Sequence, residues 1–244
     1  MLEVKNVYKK YKNGKLAAKD ISFRVNDGEI FGFLGPNGAG KSTTIKSIVG
    51  LLKKDRGEVL IDGISILDDP ILYKSKFAYL ADNPKLFEKF TAFDYINFVA
   101  DIYGIGEKTR NERLNLYLDY FDIRESMLDL VSSFSHGMKQ KLAIIAALIH
   151  DPDLLILDEP MVGLDPKSSF NLKKIMKDRA NRGKIVFFST HVMEVAENIC
   201  DRLAIISDGE IVAVGSLSEI KESLDEEGSL EEIFLELTDE QKKI

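Results

Sequence analysis

Cysteine is nearly missing from this 244-residue chain: Cys200 is the single one, so no internal disulfide can form. Histidine is scarce too, at three residues. Neither Cys200 nor His150 belongs to a group at metal-ligand spacing, and both read as packing residues. Long apolar runs are also lacking. The longest, from Leu142 to Ile149, falls far short of the roughly 20 residues needed to span a bilayer, so any membrane role has to come through a partner. There is no excess of positive charge. Thirty-three Lys and Arg against 40 Asp and Glu leave a net charge of −7 and a pI near 5.2, which gives no general electrostatic reason to bind nucleic acid or anionic lipid. The opening Met1-Leu2-Glu3-Val4-Lys5 has no basic segment leading into an apolar one; with the lone cysteine, this reads as a cytoplasmic protein. What is present is 45% hydrophobic and 30% charged residues, enough for one large α/β domain or one domain carrying an inserted subdomain.

The first third alternates with period two, at Leu2, Val4 and Val7 and again at Ile21, Phe23 and Val25, between Asn-Gly and Asp-Gly turns. A short apolar strand, Glu29 to Leu34, runs into a glycine-rich turn. Helical spacing follows from Lys41 to Leu52. A hairpin is expected from Glu58 to Leu67 around Asp62-Gly63, and another strand from Phe77 to Leu80. Between about Pro84 and Ile149 the pattern is helical only, opening on a capping box at Thr91 and Asp94. The α/β alternation then resumes: strand Leu154 to Leu157, helix Pro166 to Ala180, strand Lys184 to Ser189, helix Met193 to Ile199, strand Leu203 to Ser207. A second capping box, Ser216 to Glu219, starts an acidic tail in which Leu230, Ile233, Phe234 and Leu237 share one helical face.

Gly35-Pro36-Asn37-Gly38-Ala39-Gly40-Lys41-Ser42 satisfies G-x-x-x-x-G-K-[ST] and lies between an expected strand and an expected helix, as its mechanism requires. Glycines let successive N–H groups turn toward phosphate oxygens, and the helix start adds partial positive charge. Lys41 supplies a point charge to the terminal phosphates, and Ser42 a hydroxyl to a magnesium ion. The strand Leu154-Leu155-Ile156-Leu157 delivers Asp158 and Glu159 at its C-terminal end, where α/β sheets place ligands. Asp158 is the magnesium-holding acid and Glu159 the acceptor of a proton from the attacking water. ATP and Mg2+ are therefore the expected ligands, and Glu159 separates a hydrolase from a nucleotide sensor.

Phe134-Ser135-His136-Gly137-Met138-Lys139-Gln140, just before that strand, resembles the signature loop of ATP-binding cassette (ABC) ATPases. Gly163-Leu164-Asp165-Pro166 resembles the family's D-loop and Ser189-Thr190-His191 its switch-histidine loop, so the likeness covers nearly the whole chain. It implies an α/β P-loop NTPase (RecA-like) core with an antiparallel β subdomain and an inserted α-helical subdomain. Residues 1–83 and 150–215 would form the β subdomain and core, 84–149 the helical subdomain, and 216–244 a C-terminal helical tail. In such proteins two cassettes stack head to tail, each ATP lying between the phosphate loop of one and the signature loop of the other. The resemblance thereby assigns Ser135 and Gly137 to a partner's γ phosphate, Asp165 and Thr43 to the nucleotide site, His191 to the γ phosphate beside Glu159, and Tyr11, with Tyr8 as alternative, to adenine stacking.

Three signature positions depart from the family's usual L-S-G-G-Q: Phe134, His136 and Met138. His136 is read as a bulky residue facing solvent, with an added donor as the alternative. At the Q-loop, Asp82 stands where the family has glutamine, a harder magnesium ligand by charge. The form Ser-His-Gly-Met looks most like bacterial cassettes that serve exporters. The implied partners are a second copy or a paralogous cassette, and a separate membrane permease docking near residues 82–95, with no nucleic acid; the implied location is the inner face of the cell membrane. An importer cassette and a soluble, non-transport ABC ATPase are the alternatives.

Overall fold

The computed structural model describes residues 1–224 and 229–239. The alternating first third forms β1 (Leu2–Lys10) and β2 (Leu16–Val25), which pair antiparallel; β4 (Arg56–Ile61) and β5 (Ile64–Ser65) complete a four-stranded sheet of order β2-β1-β4-β5. A six-stranded sheet of order β10-β9-β3-β8-β7-β6 holds β3 (Ile30–Leu34), β6 (Phe77–Leu80), β7 (Leu154–Asp158), β8 (Ile185–Thr190), β9 (Arg202–Ser207) and β10 (Glu210–Gly215). Every neighbouring pair in it is parallel except β9 and β10.

Strands β3, β7 and β8 are buried along their whole length, which is why they read as continuous apolar runs rather than alternating ones. Their side chains still divide by parity. Leu155, Leu157, Val186 and Phe188 face a helical cluster that includes α5 (His136–Leu148) and α6 (Pro166–Asn181). Leu154, Ile156, Ile185 and Phe187 face the antiparallel sheet and α1 (Lys41–Ile48). On that second face Phe23, Phe31 and Phe187 stack with ring centroids 5.4–6.0 Å apart, joining the two sheets into one core.

Residues 84–149 contribute α3 (Ala92–Ile102), α4 (Glu107–Phe121), two short 3-10 turns and α5. Thr91 caps α3 by accepting the Asp94 N–H at 3.0 Å. The segment is not helical throughout: residues 84–90 carry no helix, and Thr91 forms an isolated bridge to Leu130. Helix α1 stops at Ile48 rather than Leu52, because Gly50 turns at φ +77°, where a Cβ would also lie 2.2 Å from Ile66 Cδ1. The expected hairpin is also shorter. Its second strand ends at Ser65, since Asp69 accepts the Ile71 and Leu72 N–H groups and starts α2 (Pro70–Ser75), a helix the sequence reading did not anticipate. Strand β10 was likewise not anticipated.

Beyond α7 (Met193–Ile199), the tail forms α8 (Leu217–Leu224) and α9 (Leu230–Asp239). Ser216 and Glu219 exchange hydrogen bonds as a capping box, and Leu230, Ile233 and Phe234 pack with Leu34, Ala196 and Ile205. Residues 225–228 and 240–244 of the expected tail lie outside the described residues. Among those described, no helix is long and apolar enough to cross a membrane.

Candidate nucleotide site

The phosphate loop leaves β3 at the C-terminal edge of the six-stranded sheet, beside the ends of β7, β8 and β9. Two of its glycines are required by close approach: a Cβ at Gly35 would lie 2.4 Å from the Ile206 carbonyl oxygen, and one at Gly40 2.3 Å from that of Ala17. Gly40 is also the N-cap of α1, at φ 113° with no side-chain cap, so no capping side chain occupies the helix's first N–H groups. A cavity of about 230 Å³ opens there, lined by Tyr11, Lys15, Ala17, Pro36, Asn37, Gly38, Gly40, Lys41, Ser42, Thr43, Asp82 and Glu159. Gly35 and Ala39 are not on its wall. They seat the loop against β9 and the turn that follows it, Ala39 accepting the Gly209 N–H at 2.8 Å.

Lys41 is 6% exposed; its Nζ donates to the carbonyls of Gly35 (2.6 Å) and Pro36 (3.3 Å) and lies 3.5 Å from Glu159 Oε1. Glu159 leaves β7 in the left-handed region, at φ +50°. Its N–H points at Ser189, and Oε2 lies 3.0 Å from His191 Nδ1. Asp158, 2% exposed, accepts from the Ser189 hydroxyl at 2.6 Å. Burial, reinforced by the charges of Asp82 and Glu159, pushes the Asp158 carboxyl above the usual carboxylate range, while hydrogen bonds from Ser189 and Ser42 pull the other way. Hard oxygen donors of net negative charge beside a phosphate cradle fit magnesium. Among the described residues no three His, Cys, Asp or Glu side chains converge tightly enough to hold a metal unaided, but magnesium keeps its waters and takes phosphate oxygens instead of needing a full protein cage.

Tyr11 is 39% exposed, with its hydroxyl 3.0 Å from Thr43 Oγ1 and its ring on the cavity wall. Tyr8, in β1, pairs with Arg56 of β4 and is not on that wall, so the geometry favours Tyr11. Ser135, Gly137 and Asp165 stand apart from the cavity within the chain. Ser135 caps α5, accepting the Met138 N–H at 3.3 Å. Asp165 caps α6 and pairs with Lys141 Nζ at 2.6 Å, and that contact, with the Ser168 bonds, holds its carboxyl well below the usual range. The loop after Glu159 is tied to α5 again through Gln140 Nε2, which donates to the Pro160 carbonyl at 3.3 Å. His136 is exposed as expected, yet its ring also packs over Gly163, filling the place a Cβ there would take.

The sequence reading missed Lys15, Ala17, Ser189 and Lys141. Ser189 carries a readable signal all the same, a hydroxyl at the end of a buried strand beside paired acids. Outside the cavity, Phe87, Phe90, Tyr95 and Phe98 form a cluster of rings 5.5–6.2 Å apart, with Phe87 54% exposed.

The family model described as "ABC transporter" matches residues 18–162, more than half of the chain. The chain belongs to the ABC transporter ATP-binding cassette family. Part of the cassette, residues 129–197, also matches a model described as "AAA domain, putative AbiEii toxin, Type IV TA system". The cassette is 37% identical to the ABC-type transporter ATP-binding protein EcsA of Bacillus subtilis over 91% of this chain and 90% of that protein. It is 38% identical to the linearmycin resistance ATP-binding protein LnrL of the same organism over 90% and 70%. A solved ATP-binding subunit of an ABC transporter superposes with a TM-score of 0.93 at 36% identity, covering 97% of this chain and 99% of that one. A dimeric post-hydrolysis state of the cassette MJ0796 with ADP and Pi gives 0.80 at 28% identity, covering 89% and 99%. The cassette is thus an ATP-hydrolysing subunit of the ABC transporter kind, and dimeric relatives support a dimer.

Proposed function

We propose that two copies of this cassette, or this one and a paralogue, close head to tail over two ATP molecules and thereby drive a separate membrane permease, in the direction of export. The observation that carries the reading is the incompleteness of the cavity. Ser135 and Gly137 stand at the exposed start of α5, away from the phosphate loop of their own chain, and a head-to-tail partner supplies such a pair where the cavity is open. A helix start with spare N–H groups stabilises a γ phosphate.

Within that arrangement Lys41 exchanges its bonds to Gly35 and Pro36 for phosphate oxygens. Tyr11 stacks on the base, and Pro36 to Thr43 cradle the phosphates. Ser42, Asp158 and Asp82 would hold magnesium, which supplies positive charge against the triphosphate. Glu159, oriented by His191, accepts a proton from the water whose oxygen attacks the γ phosphorus, while the bond to the β–γ bridging oxygen breaks. Loss of the γ phosphate removes the bridge between the two copies and opens the pair.

The permease is read as docking near residues 82–95, where the aromatic cluster is partly exposed, placing the cassette at the inner face of the membrane. Export is supported by the name of LnrL, a resistance protein.

Glu159→Gln is expected to keep ATP and accumulate as a closed dimer by size-exclusion chromatography, with turnover down by at least about 100-fold. Affinity capture of that variant from detergent-solubilised membranes should then recover a permease. Full-rate hydrolysis would reject Glu159 as the base, and recovery with only DNA or ribosomes would favour a non-transport ATPase.

A further inference from the structure

Lys15 sits on the cavity wall of the nucleotide site, and nothing in the reading above gives it a role. It closes the turn between β1 and β2. That turn is internally fixed: the Tyr11 N–H donates to the Lys15 carbonyl at 2.8 Å, the Gly14 N–H to the Tyr11 carbonyl at 2.9 Å, and the Lys15 N–H to Asn13 Oδ1 at 3.1 Å. Tyr11 and Lys15 are therefore presented to the cavity by one preformed unit. The ammonium stands over the middle of the phosphate loop. A Cβ built on Gly38 would meet Lys15 Nζ at 4.0 Å and nothing else within that radius.

The charge balance around the cavity makes this position informative. Its wall carries two cations, Lys15 and Lys41, and two carboxylates, Asp82 and Glu159, with Asp158 buried close by. Lys41 is already offset by Glu159 at 3.5 Å. Of the other lysines near the turn, Lys9 pairs with Asp55 and Lys19 with Glu210, and Lys10 and Lys12 are off the cavity wall. Among the described residues the Lys15 ammonium has no carboxylate or hydrogen-bond partner. An uncompensated cation on a rigid turn, facing a loop of inward N–H groups, is arranged for a polyanion.

We propose that Lys15 is a second cation contacting the phosphate chain of the bound nucleotide, so that the β1–β2 turn grips base and phosphates together. This rests on the nucleotide-site reading above and adds a contact to it. Because the lysine is exposed, its effect is screened, of the size of a surface ion pair.

The test is titration of the full chain with magnesium ADP and with the magnesium complex of a non-hydrolysable ATP analogue, by calorimetry at two salt concentrations. Lys15→Ala should weaken both about fivefold and flatten the salt dependence, Lys15→Glu should weaken them further, and Lys15→Arg should restore them. Lys12→Ala, a lysine of the same turn that is off the cavity wall, should bind as wild type, and all four should unfold at the wild-type temperature without nucleotide. In steady state Lys15→Ala should raise KM while leaving kcat nearly unchanged. Wild-type affinity and salt dependence in Lys15→Ala, with nucleotide still bound, would overturn the Lys15 contact alone. A wild-type chain that binds neither nucleotide would overturn this contact and the nucleotide-site reading together.

Discussion

Asp158 holds a charge in a place where charge is costly. Its carboxyl is 2% exposed, with Asp82 and Glu159 adding repulsion. A carboxyl whose folded pKa is raised above its unfolded value is relieved as pH falls, so its ionised form weakens the nucleotide-free fold at neutral pH. Asp158→Asn keeps an acceptor for the Ser189 hydroxyl and removes that cost. It should raise the Tm of the nucleotide-free protein by about 2–4 °C in scanning calorimetry, while ATP turnover collapses. A lower Tm would show that the hydrogen bonds outweigh the burial. The site residues divide by how sequence encodes them. Gly35 to Ser42 and Asp158-Glu159 were legible because their chemistry needs contiguous residues. Lys15 was not: it is one of 33 basic residues, and only the path of the β1–β2 turn across Gly38 singles it out.

At the scale of elements, the start of α5 and the loop from Pro160 to Asp165 behave as one piece. Gln140 holds Pro160, Lys141 holds Asp165, and the Gly137 backbone is so close to the Gly163 carbonyl that a Cβ there would lie 2.7 Å from it. His136 covers Gly163, whose φ is +81°. Gly163→Ala would therefore press on His136 Cδ2 at 2.6 Å and shift the helix start that carries Ser135. Its expected effect is a roughly tenfold fall in kcat with nucleotide affinity nearly intact. Because the His136 ring is what stands in the way, adding His136→Gly should recover part of the loss, a coupling readable in a double-mutant cycle. Additive losses would place the two residues in separate roles.

The same scale explains which elements were readable. Thr91 with Asp94 and Ser216 with Glu219 announced their helices because a cap is a local bargain between side chain and backbone. Helix α2 carried comparable punctuation at Asp69-Pro70 but is too short, at six residues, to show a period, and β10, behind Asp208-Gly209, has its apolar residues in one run from Ile211 to Val214 with no alternation. The early end of α1 was in fact written locally, in Gly50 just past its C-cap, but the apolar spacing running on to Leu52 masked it.

For the whole molecule, His150, just past the end of α5, contributes to acid stability. Its ring stacks on Tyr103 at 3.6 Å, and burial lowers its pKa from 6.5 to about 4. Below pH 6.5 the unfolded chain takes up a proton that the folded one refuses until about pH 4, so stability present above 6.5 drains away across that window. His150→Phe keeps an aromatic ring on Tyr103 and should lose less Tm than wild type between pH 7.5 and 5. Equal losses would mean that other groups set the acid limit.

Strand β3, at residues 30–34, is completed on both sides by strands from late in the chain, β8 at 185–190 and β9 at 202–207. During translation the glycine motif is therefore synthesised early but remains unsupported until more than four fifths of the chain has emerged. Phe31 and Phe33, wholly buried in the finished molecule, can meet Phe23 of β2 early but gain the Phe187 ring only with β8. A nascent fragment ending before β9 would carry the entire glycine motif and still have no cradle to close around a phosphate.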